Sequence, residues 1–234
     1  MSTYIAPTAQ VHGSAKVYDT AQVFGTAHVF GSAHVFGSAR VFGSARVFGS
    51  ARVFGLAEVS GSARVYDTAQ VYGTVQVYDS ARVYDSARVF GSARVFGLAE
   101  VYGTARVCDS AQVSGSARVS GRGDIARTRH WLAVGPVGSE DRAVTIHRHY
   151  DGPDSTRWGH LVVAGCWSGT VDQLAARIAS DGKHGWDGDS ARWRADYEGV
   201  IALARPRIAE WEAEPLTDAD HARWAQAIAD GVAS

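Results

Sequence analysis

From Ile5 to Ile125 every sixth residue is Val or Ile, without a slip in phase. From Val11 onward an Ala stands two places before each of them, with Val75 and Gly123 as exceptions. The usual unit reads Ala-Arg-Val-Phe-Gly-Ser, with Gln, His or Glu at times replacing Arg and Tyr replacing Phe. A fixed short period is read before anything else, because it makes the chain an array of like units. Within a unit, Ala and Val alternate with Arg and Phe, which is the period-two pattern of a strand. Gly or Asp, then Ser or Thr, follow; these accept turn dihedrals or bond to nearby backbone. Each hexad therefore predicts a short strand and a corner. A period of six fits neither a helix nor a heptad. One hexad cannot bury its Val, but stacked coils can, each supplying backbone partners and apolar contacts to the next.

The aliphatic at each sixth position and the small Ala before it resemble the hexapeptide-repeat family of left-handed parallel β-helices, over residues 5 to about 125. The resemblance implies three hexads per coil, hence a triangular prism of about 6.7 coils, roughly 32 Å long at ~4.8 Å per coil. Two departures stand out. The residue after the aliphatic is mostly aromatic here, where the acyltransferases of that family usually have a small one. No insertion interrupts the hexads, whereas those enzymes build their clefts from extruded loops. The array holds His12, His28 and His34. His12 and His28 share a face at different strand positions, His34 falls on the next face, and no loop closes over any of them. Catalysis needs a base within reach of a bound substrate, so the repeat is not expected to be catalytic.

Aromatic usage marks a boundary. All eight Phe lie between Phe24 and Phe96, and all seven Trp between Trp131 and Trp224. This predicts two domains, residues 1–125 and 126–234, joined near Gly121-Arg122-Gly123. The formal charge is −1, and neither half is extreme enough to indicate a DNA mimic or a polybasic tail. Cys108 and Cys166 lie far apart in sequence and predict no disulfide framework, hence a reducing compartment. The opening Met1-Ser2-Thr3-Tyr4 has no signal-peptide pattern, and no apolar run is long enough to span a bilayer. A cytoplasmic location in a bacterial host is expected.

Assigning every third hexad to one face gives three ladders. The first carries Phe24, Phe42, Ser60, Tyr78 and Phe96 beside Gln22, Arg40, Glu58, Gln76 and Arg94. The second carries Phe30, Phe48, Tyr66, Tyr84 and Tyr102 beside His28, Arg46, Arg64, Arg82 and Glu100. The third carries Tyr18, Phe36, Phe54, Tyr72 and Phe90 beside Lys16, His34, Arg52, Gln70 and Arg88. One reading has the rings stacking on one another with Arg stems over them. The other makes the second and third faces an interaction surface, because long exposed aromatic rows exceed what a monomer usually shows. Its occupant would be another copy, a protein partner, or single-stranded nucleic acid held by Arg and rings; interspersed Asp and Glu weigh against nucleic acid. The stretches 43–59 and 85–101 differ only in their first residue. A scaffold tolerates such copying better than a site does.

The C-terminal part predicts strands at 131–138, 143–150 and 159–166, with a Ser-Glu-Asp turn between the first two. Thr170 caps a helix to about Ser180. A second helix starts near Ser190, with Trp193, Tyr197, Val200, Ile201 and Ala204 inward, and is expected to kink or split at Pro206 before Ile208 and Trp211. Thr217-Asp-Ala-Asp220 resembles a capping box that opens a last helix. The expected fold is a small α+β domain, three strands then helices. Residues 131–138 (WLAVGPVG) and 165–174 (GCWSGTVDQL) resemble a tail domain of phage- and prophage-encoded hexapeptide-repeat proteins. Tyr197 and the segment Ile201-Ala-Leu-Ala204 fit it too. That resemblance implies phage origin and no chemistry. His147 and His149 fall on one side of a strand, with His160 and Cys166 on the next, a possible zinc set whose spacing matches no recognised motif. Cys166 reads either as a thiol activated by a helix N-terminus or as a buried small apolar residue. Asp187-Gly188-Asp189 reads as a cation loop or a solvated turn.

The expectation is a structural or interaction protein without cofactor or catalytic residues, the prism a scaffold and the tail a binding head. The alternatives are a hexapeptide-type transferase or metal-dependent enzyme with its site in the tail, or a single-stranded nucleic-acid binder using the Arg and aromatic faces. Self-association is also expected, because a solenoid leaves unpaired backbone and apolar rows at its ends, and little precedes Ile5 to cover one of them.

Overall fold

The computed structural model describes residues 2–137, 142–151, 155–180 and 190–229. The chain divides into two compact units, Met1–Thr128 and Arg129–Ser234.

The first unit contains twenty-one short strands, from β1 (Tyr4–Ile5) to β21 (Asp124–Ile125). Every third strand joins one parallel sheet, giving three 7-stranded sheets. The first runs from β1 to β19 (Gln112–Val113), the second from β2 (Gln10–Val11) to β20 (Arg118–Val119), the third from β3 (Lys16–Val17) to β21. The register steps one coil at a time, as in Val23↔Val41 and Val41↔Val59. This is the parallel β-solenoid of about seven turns that the period of six predicts. The Val row from Val23 to Val119 and the Ala row from Ala21 to Ala117 are fully buried, with Val75 taking an Ala place. Cross-coil hydrogen bonds fix the rise: Phe42 N–H donates to Val59 O at 2.9 Å and Ser60 N–H to Val77 O at 2.9 Å.

The corners explain the Gly and Asp residues. They adopt φ between +53° and +86°, where an L side chain is strained. At Gly73, φ is +86° and a Cβ would lie 2.6 Å from Gly91 O, so only glycine fits. Asp enters the same region at Asp19, Asp67, Asp79, Asp85 and Asp109. Its carboxylate reaches the next coil: Asp79 Oδ2 accepts from Gly97 N at 3.1 Å. The Ser and Thr hydroxyls also bond across coils, where the sequence predicts local bonds. Thr20 Oγ1 donates to Gly37 O at 2.9 Å and lies 2.8 Å from Ser38 Oγ. The tight turn sets each hydroxyl over the corner of the next coil, so that partner is nearer than its own backbone.

Among its described residues the second unit is a 4-stranded antiparallel sheet with three α-helices. Its strands are β22 (Trp131–Val137), β23 (Arg142–His149), β24 (Gly159–Ala164) and β25 (Trp167–Gly169), in that order. The sequence predicts three strands. The fourth is the segment after the Gly165-Cys166 turn, which folds back so that Val162 pairs with Gly169. The expected Ser-Glu-Asp turn lies outside the described residues.

Helix α1 (Val171–Ala179) has Thr170 as N-cap in a capping box with Gln173. Helix α2 (Ser190–Ala213) runs through Pro206 without splitting. The cost of an internal proline is about 3 kcal/mol. It is offset because residues on both sides of it share one core: Val200 and Ala204 before it, Ile208 and Trp211 after it, packed with Val144, Ile146, Val162, Leu174 and Ile178. Each Val, Leu or Ile among them contributes roughly 1.5–3 kcal/mol. Helix α3 (Asp218–Ala229) begins at the predicted box: Thr217 N–H donates to Asp220 Oδ2 at 2.9 Å, and Asp220 N–H to Thr217 Oγ1 at 3.2 Å. Among the described residues no helix is long and apolar enough to cross a membrane.

Candidate functional site

Alternation along each hexad turns Ala and Val inward, so the residues beside them form the outer surface. On the second sheet His12 stacks on Phe30, Phe30 on Phe48, and the ladder continues through Tyr66 and Tyr84 to Tyr102. Successive ring centroids are 4.8 to 5.3 Å apart and the planes within 3–4° or less of parallel. On the third sheet Tyr18, Phe36, Phe54, Tyr72 and Phe90 do the same at 4.8 to 5.3 Å. Stacking changes what these rows offer. The rings are half-buried, except that His12 and Tyr18, which begin their ladders, are exposed, Tyr18 at 37%. The exposed aromatic surface expected from the sequence is reduced to ring edges, because each ring covers the face of the next. A nucleic-acid base needs a free ring face to stack on, and inside these ladders the neighbouring coils occupy both.

The cations divide into groups. Arg52 Cζ lies 5.5 and 5.7 Å from the Phe36 and Phe54 centroids, covering the stack as the first reading anticipates. Arg46, Arg64 and Arg82 are exposed and occupy consecutive rungs of the second sheet. Arg82 meets Glu100 at 3.3 Å, and Glu100 meets Arg118 at 3.2 Å. Arg88, placed by the sequence on the interaction surface, is buried at 5% exposure between Gln70 and Arg106. It is therefore not on offer to a partner. Burial pushes the hydroxyls of Tyr66 and Tyr84 above the ordinary tyrosine range. Glu100 adds to the effect at both, and Arg82 opposes it at Tyr66.

In the second unit the proposed zinc set does not assemble. The register pairs His147 with Leu161 and Arg148 with His160. Strand alternation then puts His147 and His149 on one face of the sheet and His160 on the other. Cys166 sits exposed in the turn between β24 and β25, neither buried nor adjacent to the α1 N-terminus, from which β25 separates it. Among the described residues no three His, Cys, Asp or Glu side chains gather as a metal site. Asp187-Gly188-Asp189 lies outside the described residues.

His160 and His147 have structural tasks instead. His160 Nε2 accepts the Val171 N–H at 3.0 Å, so Nδ1 carries the proton it directs to Glu212 Oε1 at 3.2 Å. This resembles a base with its orienting carboxylate, but the lone pair a base would use is spent on the first turn of α1. His147 is fully buried and its Nδ1–H donates to Arg148 O at 3.0 Å. Burial pushes its pKa down to about 4, with His149 and His160 adding to the effect.

Sequence reading missed the polar hub of this unit. Glu214, at the end of α2, receives Arg129 and Arg148, the latter at 2.9 Å, and lies 3.6 Å from His130 Nε2. Arg148 also places Cζ 3.6 Å from the Trp158 ring centroid, a cation–π contact. No short motif could join residues 66 positions apart. Between α1 and α2 an open groove of about 400 Å³ is lined by Ala175, Ile178, Ala179, Ile201, Ala202 and the charged Arg194, Glu198 and Arg205. Leu203, on α2, is 56% exposed. No family model matches the chain, and neither does any curated protein or solved structure.

Proposed function

We propose that this chain is a structural and interaction protein, its solenoid a rigid scaffold and its second unit the head that docks a protein partner. The observation that carries this reading is where the copied stretch falls. One copy ends in Glu58–Val59, a strand of the first sheet; the other ends in Glu100–Val101, a strand of the second. The same residues serve on two different faces. A scaffold accepts that; chemistry that needs one unique face does not. The groove between α1 and α2, with Ala175, Ile178, Ala179, Ile201 and Ala202 in its lining, supports docking through the head.

The solenoid also serves self-assembly. Its first coil leaves Tyr4 and Ile5 exposed at 52% and 43%, on the edge strand of the first sheet. Unpaired edge backbone with apolar side chains favours pairing with another chain. The exposed Arg46, Arg64 and Arg82 row offers a second contact, through an acidic patch on the other copy. In finer detail, we read the solenoid as a hexapeptide-repeat left-handed β-helix and the head as phage-derived, acting in a bacterial cytoplasm.

The test uses the whole chain as bait in a bacterial lysate. Ala202→Glu, at an exposed position of the groove, should abolish capture of the partner while leaving the fold intact. Arg64→Glu should leave capture unchanged and alter only the mass measured by light scattering. Capture that survives Ala202→Glu but fails with Arg64→Glu would move the binding function to the solenoid.

A further inference from the structure

Among the aromatic ladders one rung is missing with rings on both sides of it. Ser60 stands where the first ladder requires a ring between Phe42 and Tyr78. Phe24 and Phe42 stack at 4.9 Å, and so do Tyr78 and Phe96. The backbone is continuous across the gap: Val59 pairs with Val41 on one side and Val77 on the other. The two flanking rings are therefore held two rungs apart, about 9.6 Å at ~4.8 Å per coil. The hydrogen-bonded coils prevent the gap from closing. An open notch of about 330 Å³ remains there, lined by Glu58, Ser60, Gly61, Gln76, Tyr78 and Asp79.

We propose that this notch binds a small planar aromatic amine. A single ring at the Ser60 rung would sit about 4.8 Å from Phe42 and Tyr78, the spacing that every other rung adopts. Ring stacking of this kind is indifferent to ring identity, so the charged rim sets the preference. Two carboxylates, Glu58 and Asp79, line the notch. The Arg40 guanidinium is engaged with Glu58 at 2.7 Å, and no cation stands among the residues that line the notch. A lining with two carboxylates and no cation favours a ligand that brings an ammonium group. The inference is independent of the partner docked by the second unit.

The test is titration of the whole chain with tyramine, followed by NMR. The ring protons should move upfield and saturate, with nuclear Overhauser contacts to the Phe42 and Tyr78 rings. Ser60→Phe supplies the missing rung and should weaken binding at least about tenfold, while Tyr78→Ser removes one wall and should do the same. The analogue 2-cyclohexylethylamine keeps the ammonium without a π face and should bind about tenfold more weakly. Absence of saturable binding would overturn the proposal. So would contacts that omit Tyr78, or affinities unchanged in Ser60→Phe and Tyr78→Ser.

Discussion

The rings of Tyr66 and Tyr84 lie 5.0 Å apart and 3° from parallel, each half-buried under the coil beside it. That packing desolvates both hydroxyls and raises both pKa values, Glu100 adding to the effect. The unfolded chain ionises near the ordinary tyrosine value of about 10. Above that pH the unfolded state releases protons that the folded state keeps, so stability is whole below about pH 10 and falls as pH rises through the window above it. The double substitution Tyr66→Phe and Tyr84→Phe keeps the stack and removes the titration. It should melt like the parent at pH 8 and roughly 2–4 °C higher at pH 11. Identical alkaline melting curves would refute this account of the ladder.

His147 gives the opposite limb. Its folded pKa of about 4 lies below the unfolded value of about 6.5. Between those values the unfolded state binds a proton that the folded state refuses. Stability therefore falls as pH drops from about 6.5 toward 4. All seven Trp lie in residues 131–224, so tryptophan fluorescence follows the second unit alone. Its melting temperature should decline across that window. An NMR titration placing the His147 ring near 6.5 would contradict the burial argument.

Much of the solenoid was legible because its signal repeats. A single Val says little, but an unbroken phase from Ile5 to Ile125 leaves one packing solution. The helix caps at Thr170 and Thr217 were legible because a capping box is local. Other features depended on neighbours distant in sequence. Nothing in Trp167-Ser-Gly169 announces a strand, since three residues carry no periodicity. Pro206 reads as a breaker until Ile208 and Trp211 are seen in the same core as Val200. The second-face rings form the row that the period of six predicts, but they are half-buried, because stacking depends on the neighbouring coils. The burial of Arg88 and the hub at Glu214 were beyond any local pattern.

Glu214 should be the most sensitive charge in the head. Arg148 is 4% exposed and leans on it, so Glu214→Ala takes a carboxylate away from a buried cation. Removing one partner of such a pair costs about 3–5 kcal/mol, reduced here because Glu214 is itself 26% exposed. A loss of about 3 kcal/mol is expected in urea unfolding followed by tryptophan fluorescence. A loss below about 0.5 kcal/mol, the usual range of a surface pair, would show that the hub is incidental.

The corners predict a graded glycine response. Gly73→Ala drives a Cβ to 2.6 Å from Gly91 O, whereas a Cβ at Gly115 meets nothing within 4 Å. Both positions have positive φ, which alone costs about 1–2 kcal/mol. Gly115→Ala should lose about that much and Gly73→Ala clearly more, read by circular dichroism in urea. Equal losses would mean that dihedral strain, not coil-to-coil contact, selects glycine at these corners.

The claim that the solenoid is a scaffold and the head does the docking is tested most directly by removing one whole coil. Deleting residues 43–60 takes out 18 residues and joins Phe42 to Gly61, preserving the face of every later hexad. We predict that this shortened chain keeps the parent's tryptophan melting curve and captures the same partner from lysate in equal yield. Loss of capture with the head still folded would contradict the scaffold account and assign the binding surface to the coils.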